Sequence, residues 1–285
     1  MTELRGKPVA DSITARATED IARLKEKGIV PKLAVIRIGA REDDLAYERG
    51  IIKRFQNAGC ECEVFELPED CSQEEFDSTF DARNEDPSIS AILLFRPLPK
   101  HLSGDHVRIY INPYKDIDAM GVYHQAALFA DSKKAYAPCT AQAVMEILHY
   151  YNIPVEGKRV TVVGRSLVIG KPVSLMLTKE NATVTVCHTR TKDLVGEIKR
   201  ADILIAAAGK AKMITADMVA PGQVVIDVGM NVDEDGKLCG DVDYEAVSGI
   251  VDSITPVPGG VGAVTTSVLL QYTVEGATRL NDDKL

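Results

Sequence analysis

The segment Val162-Val163-Gly164-Arg165-Ser166-Leu167-Val168-Ile169-Gly170-Lys171-Pro172 has the composition of a buried strand that passes through a glycine-containing loop into a helix. At such a junction backbone N–H groups and the positive end of a helix dipole converge, which is where a pyrophosphate is held. The spacing departs from Gly-x-Gly-x-x-Gly, because Ser166 takes the second glycine position and Gly170 arrives one residue late. An ordinary tight turn reads the same in isolation, so the surrounding elements decide. In a dinucleotide fold the end of the second strand faces the adenosine ribose, and a carboxylate there holds the free hydroxyls of NAD. Here that place reads Cys187-His188-Thr189-Arg190 and offers no carboxylate. Arg165, Arg190 and Lys192 can instead neutralise a ribose phosphate, so NADP is expected and NAD is disfavoured. The candidate cofactor residues are Gly164, Arg165, Ser166, Gly170, Pro172, His188, Thr189 and Arg190.

Other reactive side chains are dispersed. Cys60 and Cys62 are the only close pair among six cysteines, and one intervening residue is shorter than a zinc-binding spacing, so reduced thiols are expected. The five histidines show no paired spacing on one helix face, and no metal is expected. Tyr47 and Asp118, taken alone, read as a half-buried aromatic and a turn-forming carboxylate as readily as ligand-binding groups.

The elements that must position these residues alternate. Ala10 to Lys27 has helical spacing with Gly28 at its end, and Lys32 to Ile38 is a β-branched run suited to a buried strand. Asp43 and Asp44 offer N-cap oxygens to a helix that runs to about Ala58 and closes at Gly59. A strand follows at Cys62 to Leu67, then a helix near Gln73 to Asn84, then a fully apolar strand at Ser90 to Phe95. After a seam near Ala137-Pro138 come a helix at Thr140 to Tyr151 and strands at Arg159 to Val163, Thr183 to Cys187, Ile203 to Ala207 and Val224 to Val228, with a helical tail from Ala263 to Leu280. Such alternation implies mainly parallel sheets covered on both faces.

The 285 residues suit two domains. A net charge of −9 disfavours nucleic acid, whose phosphates the summed field would repel. No apolar run approaches a bilayer span and no apolar signal follows Met1 to Lys7, so no membrane partner and a cytoplasmic location are expected.

Four runs, Lys115-Asp116-Ile117-Asp118, Ala137-Pro138-Cys139-Thr140, Val162 to Pro172 and Thr255-Pro256-Val257-Pro258-Gly259-Gly260-Val261-Gly262, together resemble the methylenetetrahydrofolate dehydrogenase/methenyltetrahydrofolate cyclohydrolase family in order and spacing. The resemblance spans almost the whole chain. It implies an α/β protein of two domains: a βα catalytic, folate-binding domain over 1–137, completed by a C-terminal helix over 263–285, and a Rossmann-like parallel-sheet NAD(P) domain over 138–262, with a cleft between. It also implies a tetrahydrofolate one-carbon derivative as substrate and a homodimer. Carried over by position, Tyr47 would stack on the folate's aminobenzoyl ring and Asp118 would bind the pterin's amino edge. Pro258, Gly259, Gly260 and Val261 would bring backbone close to the ligands.

The chain departs from that pattern where the resemblance puts proton chemistry. The family's catalytic lysine, one helical turn after the tyrosine, is Ile51, and its glutamine is Phe95. Arg96 stands where an apolar residue is usual, Asp44 where a serine is, and Ala263 replaces a proline. Four residues of helix return to within about 40° of the starting direction and six to about 240°, so Ile51 shares the face of Tyr47 whereas Lys53 does not. Only a bulge near Gly50 would bring Lys53 round. The expectation is therefore oxidation of methylenetetrahydrofolate by hydride transfer to NAD(P), with cyclohydrolase activity lost or weak. The alternatives are a fully bifunctional enzyme, a dehydrogenase of another small substrate on the same scaffold, or a binding module without chemistry.

Overall fold

In the computed structural model the described residues are 1–282, so the last three positions of the expected 263–285 helix lie outside them. The chain runs β1 (Thr2–Glu3), α1 (Gly6–Glu26), β2 (Lys32–Ile38), α2 (Glu42–Ala58), β3 (Glu61–Leu67), α3 (Gln73–Glu85), β4 (Ala91–Leu94), α4 (Asp105–Tyr110), α5 (Val122–Phe129), α6 (Cys139–Tyr150), β5 (Arg159–Val163), α7 (Gly170–Lys179), β6 (Thr183–Cys187), α8 (Leu194–Lys199), β7 (Ile203–Ala206), β8 (Val224–Asp227), β9 (Asn231–Val232), β10 (Leu238–Cys239), α9 (Tyr244–Ser248), β11 (Ser253–Ile254) and α10 (Gly262–Leu280). It divides into two compact units, one of Met1–Asp11 with Pro138–Thr265 and one of Ser12–Ala137 with Thr266–Leu285, and the divisions fall inside α1 and α10.

The second of these units is built on a three-stranded parallel sheet of order β3-β2-β4. The central strand is buried on both faces, which is why Leu33 to Ile36 form an unbroken apolar run with no exposure. Arg37 is the exception within it: it is buried and answered by Glu48 of α2 at 2.7 Å and Glu66 of β3 at 3.0 Å. A buried guanidinium is tolerable only with such partners, and these two lock α2 to the sheet. Helix α2 buries Ile51, Phe55 and Ala58 along one stripe and ends at Gly59 in the left-handed region (φ 75°), as its glycine predicts. Its start differs from the sequence reading. The N-cap is Arg41, without a side-chain cap, and Asp43 and Asp44 lie in the first helical turn, where they complement the helix dipole. Asp44 is gripped by the Arg41 guanidinium at 2.8 Å, which removes it from capping.

The other unit carries a six-stranded sheet of order β1-β11-β8-β7-β5-β6, parallel throughout. The sequence showed the four strands β5 to β8; β1 and β11 are two residues each, too short to carry a periodic signal, as are β9 and β10 of the antiparallel hairpin. The chain enters at β5, places β6 on one side, then returns to place β7 and β8 on the other. The carboxyl ends of β5 and β7 therefore flank a topological switch point, where open parallel sheets bind ligands. No described helix is long and apolar enough to cross a membrane.

Close backbone approach fixes α10 in its unit. A Cβ on Gly276 would stand 2.6 Å from the Ser90 carbonyl oxygen and 2.8 Å from that of Tyr114. Gly276→Ala is therefore expected to lower the unfolding free energy by about 1–3 kcal/mol. Gly50→Ala, in the interior of α2 with nothing within 4 Å of the new methyl, is expected to raise it by about 0.5–1 kcal/mol. Urea denaturation of the two variants checks the opposite signs.

Candidate functional site

In the three-stranded unit the switch point lies at the carboxyl ends of β2 and β4. Tyr47 comes from α2, which follows β2, and Phe95 is the residue after β4. Their ring centroids are 5.7 Å apart and tilted by 39°, with Tyr47 38% exposed and Phe95 nearly buried. One turn further along α2, Ile51 has no exposed surface, and Lys53 is exposed. The helix is continuous through Gly50, so no bulge rotates Lys53 into the place of Ile51. The structure thus brings Tyr47 and Phe95 together and puts at position 51 a core side chain without a proton to exchange.

The Lys115 to Asp118 segment explains its own composition. It runs beside β4 through a parallel bridge between Ile92 and Asp116. The buried Lys115 ammonium donates to the carbonyl oxygens of Asn84 and Asp86, each at 2.7 Å, and to Arg83 at 3.4 Å, at the carbonyl-rich end of α3. Asp116, also buried, accepts from the N–H groups of Met120 at 3.0 Å and Gly121 at 2.8 Å. These two charges are structural, and they hold Asp118 at the end of the strand row. Asp118 receives Arg96 Nη2 on Oδ2 at 2.6 Å. Just beyond Arg96, Pro97 to His101 line an open groove of about 920 Å³ with Ile38 to Arg41.

In the six-stranded unit the glycine loop sits at the switch point. Gly164 has φ 135°, and a Cβ there would collide with the carbonyl oxygen of Ala207, just past β7; a Cβ on Gly170 would collide with the carbonyl oxygen of Gly164. Both glycines are required by the way the loop folds on itself and against its neighbour. Ser166 Oγ accepts from Ile169 N–H at 3.1 Å and so shapes the loop before α7, and Pro172 is buried in the first turn of α7, where its missing N–H costs no bond. At the end of β6, His188 Nδ1 accepts from Arg190 N–H at 3.1 Å. Thr189, Arg190, Lys192 and Arg165 are all exposed there and on the glycine loop, and no carboxylate stands between Cys187 and Lys192. A strand-to-helix loop at the switch point, two glycines with no room for a side chain, and exposed cations fit a phosphate-bearing dinucleotide.

The neighbouring loop is held by two acids that the sequence reading passed over. Asp241, fully buried, accepts from Ala208, Gly209 and Lys210 N–H at 2.5, 3.0 and 2.8 Å and from Asn231 Nδ2 at 2.9 Å. Asp227 accepts from Gly229, Asp241 and Val242 N–H between 2.9 and 3.0 Å. Gly229 and Gly240 flank them because a Cβ at either would overlap a carboxylate. The run Gly240-Asp241-Val242-Asp243 was visible, but nothing in its composition marks one acid as buried.

Pro258 and Gly259 are exposed, Gly260 and Val261 buried. Gly259 has φ 102°, and a Cβ on Gly260 would overlap the Pro256 carbonyl oxygen, so the chain's own turn already demands glycine at both.

Sequence comparison bears on what such a chain is. The family profile for the tetrahydrofolate dehydrogenase/cyclohydrolase catalytic domain matches residues 4–118, and that for its NAD(P)-binding domain matches residues 138–281. The chain belongs to the tetrahydrofolate dehydrogenase/cyclohydrolase family. A relative from Carboxydothermus hydrogenoformans, named Bifunctional protein FolD, is 53% identical over 280 residues, 98% of each chain. The bifunctional enzyme FolD of Campylobacter jejuni, a methylenetetrahydrofolate dehydrogenase/cyclohydrolase, superposes with a TM-score of 0.95 at 38% identity, over 98% of this chain and 99% of that one. The Trypanosoma brucei enzyme, complexed with NADP cofactor and inhibitor, superposes with a TM-score of 0.92 at 35% identity over 98% of each chain. The glycine loop described above therefore lies in the family's NAD(P)-binding domain, and Tyr47, Ile51, Phe95 and Asp118 lie in its catalytic domain. Among the described residues no group of three or more His, Cys, Asp or Glu could hold a metal ion.

Burial pushes the Asp116 carboxyl up to about 6, against the pull of its two backbone donors; Asp118 acts in the same direction as burial and Arg96 against it. With its folded value above the ordinary 3.8, the folded protein holds this proton more tightly than the unfolded chain. The associated stability is present below pH about 4 and is lost as pH rises through about 6. Asp116→Asn is therefore expected to show a smaller loss of urea midpoint between pH 4 and 7 than the parent protein.

Proposed function

We propose that this chain oxidises methylenetetrahydrofolate to methenyltetrahydrofolate with NADP as hydride acceptor, and that its capacity to hydrolyse the methenyl product is lost or weak. The observation that carries the proposal is the fully buried Ile51 beneath a solvent-open Tyr47, with Phe95 packed against that tyrosine. When bound, the nicotinamide ring supplies the hydride acceptor. The lone pairs of the two folate nitrogens flanking the bridging carbon stabilise the cation that forms, so no protein base is needed. Tyr47 and Asp118 fix the folate, Tyr47 under the aminobenzoyl ring and Asp118 on the pterin's amino edge, and this orientation is worth several kcal/mol or more. Pro258, Gly259, Gly260 and Val261 are the further substrate-binding residues on this reading, the first two exposed and the last two buried. Hydrolysis has different needs: water must lose a proton and a ring nitrogen must gain one, work for which general acid–base groups contribute about 10²- to 10⁴-fold. Ile51 and Phe95 can do neither.

A second reading, an enzyme with both activities, is favoured by the printed names of the relatives, which describe bifunctional proteins at up to 53% identity. On that reading another cation, such as Lys100 on the groove after β4, recruits the water.

NADP over NAD is supported by the exposed Arg165, Arg190 and Lys192 and by the NADP bound to the Trypanosoma brucei relative. Two copies of the chain in a cytoplasmic homodimer complete the proposal; the apolar Met230, Val232 and Leu238, exposed at the β9–β10 hairpin, supply a face for pairing.

Folate-dependent NADP reduction by the purified protein tests the dehydrogenase, and its absence would refute the proposal. Arg190→Ala is expected to raise the KM for NADP about tenfold or more while leaving that for NAD little changed, as loss of a charge-assisted phosphate contact requires. For the hydrolytic half, Ile51→Lys alone is expected to leave methenyl hydrolysis near the buffer rate, because the new ammonium gains no polar partner at Phe95. Ile51→Lys with Phe95→Gln is expected to raise it about 10²-fold. Full recovery from the single change would show Phe95 to be irrelevant.

A further inference from the structure

We propose that Arg96 is a positioning residue for the folate substrate, acting through Asp118: its guanidinium sets the orientation in which the Asp118 carboxylate meets the amino and ring N–H donors of the pterin. The inference rests on the reading of Asp118 as the pterin-binding carboxylate.

The geometry starts from the backbone. Asp116 bridges to Ile92 in β4, so Asp118 lies beside the end of that strand, two residues short of the level of Arg96. Lys115 and Asp116 fix the main chain on the N-terminal side of Asp118, and Asp116, through Met120 and Gly121, fixes it on the C-terminal side as well. These anchors act on the main chain, whereas Arg96 acts on the Asp118 side chain itself. Arg96 Nη2 reaches Oδ2 at 2.6 Å, the short distance of a charge-assisted bond, with the two side chains 35% and 18% exposed. A carboxylate offers about four lone-pair directions over its two oxygens, so one guanidinium N–H does not exhaust its capacity to accept. A pterin presents an amino group and a ring N–H side by side, pointing the same way, and a carboxylate turned to meet both must be held in one plane. A charge-assisted bond that orders the carboxylate before the ligand arrives reduces the entropy lost on binding.

Charge supports the same assignment. Asp116 and Asp118 are two carboxylates two residues apart, and Asp118 opposes ionisation of the buried Asp116 whereas Arg96 favours it. Without Arg96 the two acids would lose a cation that offsets their mutual repulsion. The cation at position 96 is thus both a hydrogen-bond donor to Asp118 and a charge that favours two neighbouring carboxylates. A guanidinium has no proton to exchange near neutral pH, so its contribution is one of placement.

The experiment uses the full-length protein with NADP and compares Arg96→Leu, Arg96→Lys, Asp118→Ala and the Arg96→Leu/Asp118→Ala double variant. Two quantities are read: KM and kcat for methylenetetrahydrofolate oxidation, and the Kd of tetrahydrofolate by calorimetry without turnover. Arg96→Leu is expected to raise both the folate KM and the tetrahydrofolate Kd about tenfold, with kcat and the KM for NADP little changed. Arg96→Lys is expected to recover most of that loss, since a single charged N–H suffices for the bond seen. In the Asp118→Ala background Arg96→Leu is expected to add nothing. If Arg96→Leu leaves folate binding unchanged or tightens it while Asp118→Ala weakens it, the inference fails and the reading of Asp118 stands. An Arg96→Leu loss that persists undiminished in the Asp118→Ala background also overturns it. If Asp118→Ala leaves folate binding unchanged, the reading of Asp118 falls and the inference with it.

Discussion

Position 51 has no exposed surface, and it lies in the Ile51-Phe55-Ala58 stripe through which α2 buries itself. A side chain held there without water must be apolar or must find a buried partner for whatever charge it carries. Isoleucine satisfies the first condition. Phe95, at the end of β4, packs its ring on Tyr47 and supplies no such partner. Ile51 and Phe95 are both buried and apolar, and the polar groups of this unit proposed to meet the folate are Asp118 and its ion-pair partner Arg96. On the proposed function, hydride removal needs only a folate held still. Proton transfer needs a titratable group in contact with water, and Ile51 and Phe95 offer none.

The same division of labour holds in the NAD(P)-binding domain. Its charged side chains with an architectural task, Asp227 and Asp241, are buried and saturated by backbone N–H donors, and they fix the loop after β7 that Gly164 approaches. The basic groups proposed to meet the cofactor, Arg165, Arg190 and Lys192, are exposed. Buried charges shape the loops, and exposed ones are those proposed to meet the cofactor's phosphates.

Much of this was legible in the sequence. The strands β4 and β7 announce themselves as unbroken apolar runs, and β2 through Leu33 to Ile36, because these residues are buried, and Gly59 marks the end of α2 because a left-handed residue is needed there. The start of α2 was misread because Asp43 and Asp44 carry the right side chains for capping, yet the nearby Arg41 draws Asp44 into an ion pair. The strands β1, β9, β10 and β11 escaped notice because two residues carry no periodicity, and they exist only through pairing with distant segments. For the site, the types at positions 47, 51, 95 and 118 could be read in order. That Lys115 and Asp116 are structural while Asp118 is the member that faces outward could not, since three charges in a row of four look alike until their partners are known.

The claim that redox chemistry persists without proton handling is tested most directly by product stoichiometry. Methenyltetrahydrofolate and NADPH should be followed together by absorbance during turnover of methylenetetrahydrofolate, with correction for hydrolysis in buffer. Equal accumulation of the two is the expected result; NADPH formation with methenyltetrahydrofolate steadily missing, converted to the formyl compound as fast as it forms, would contradict it.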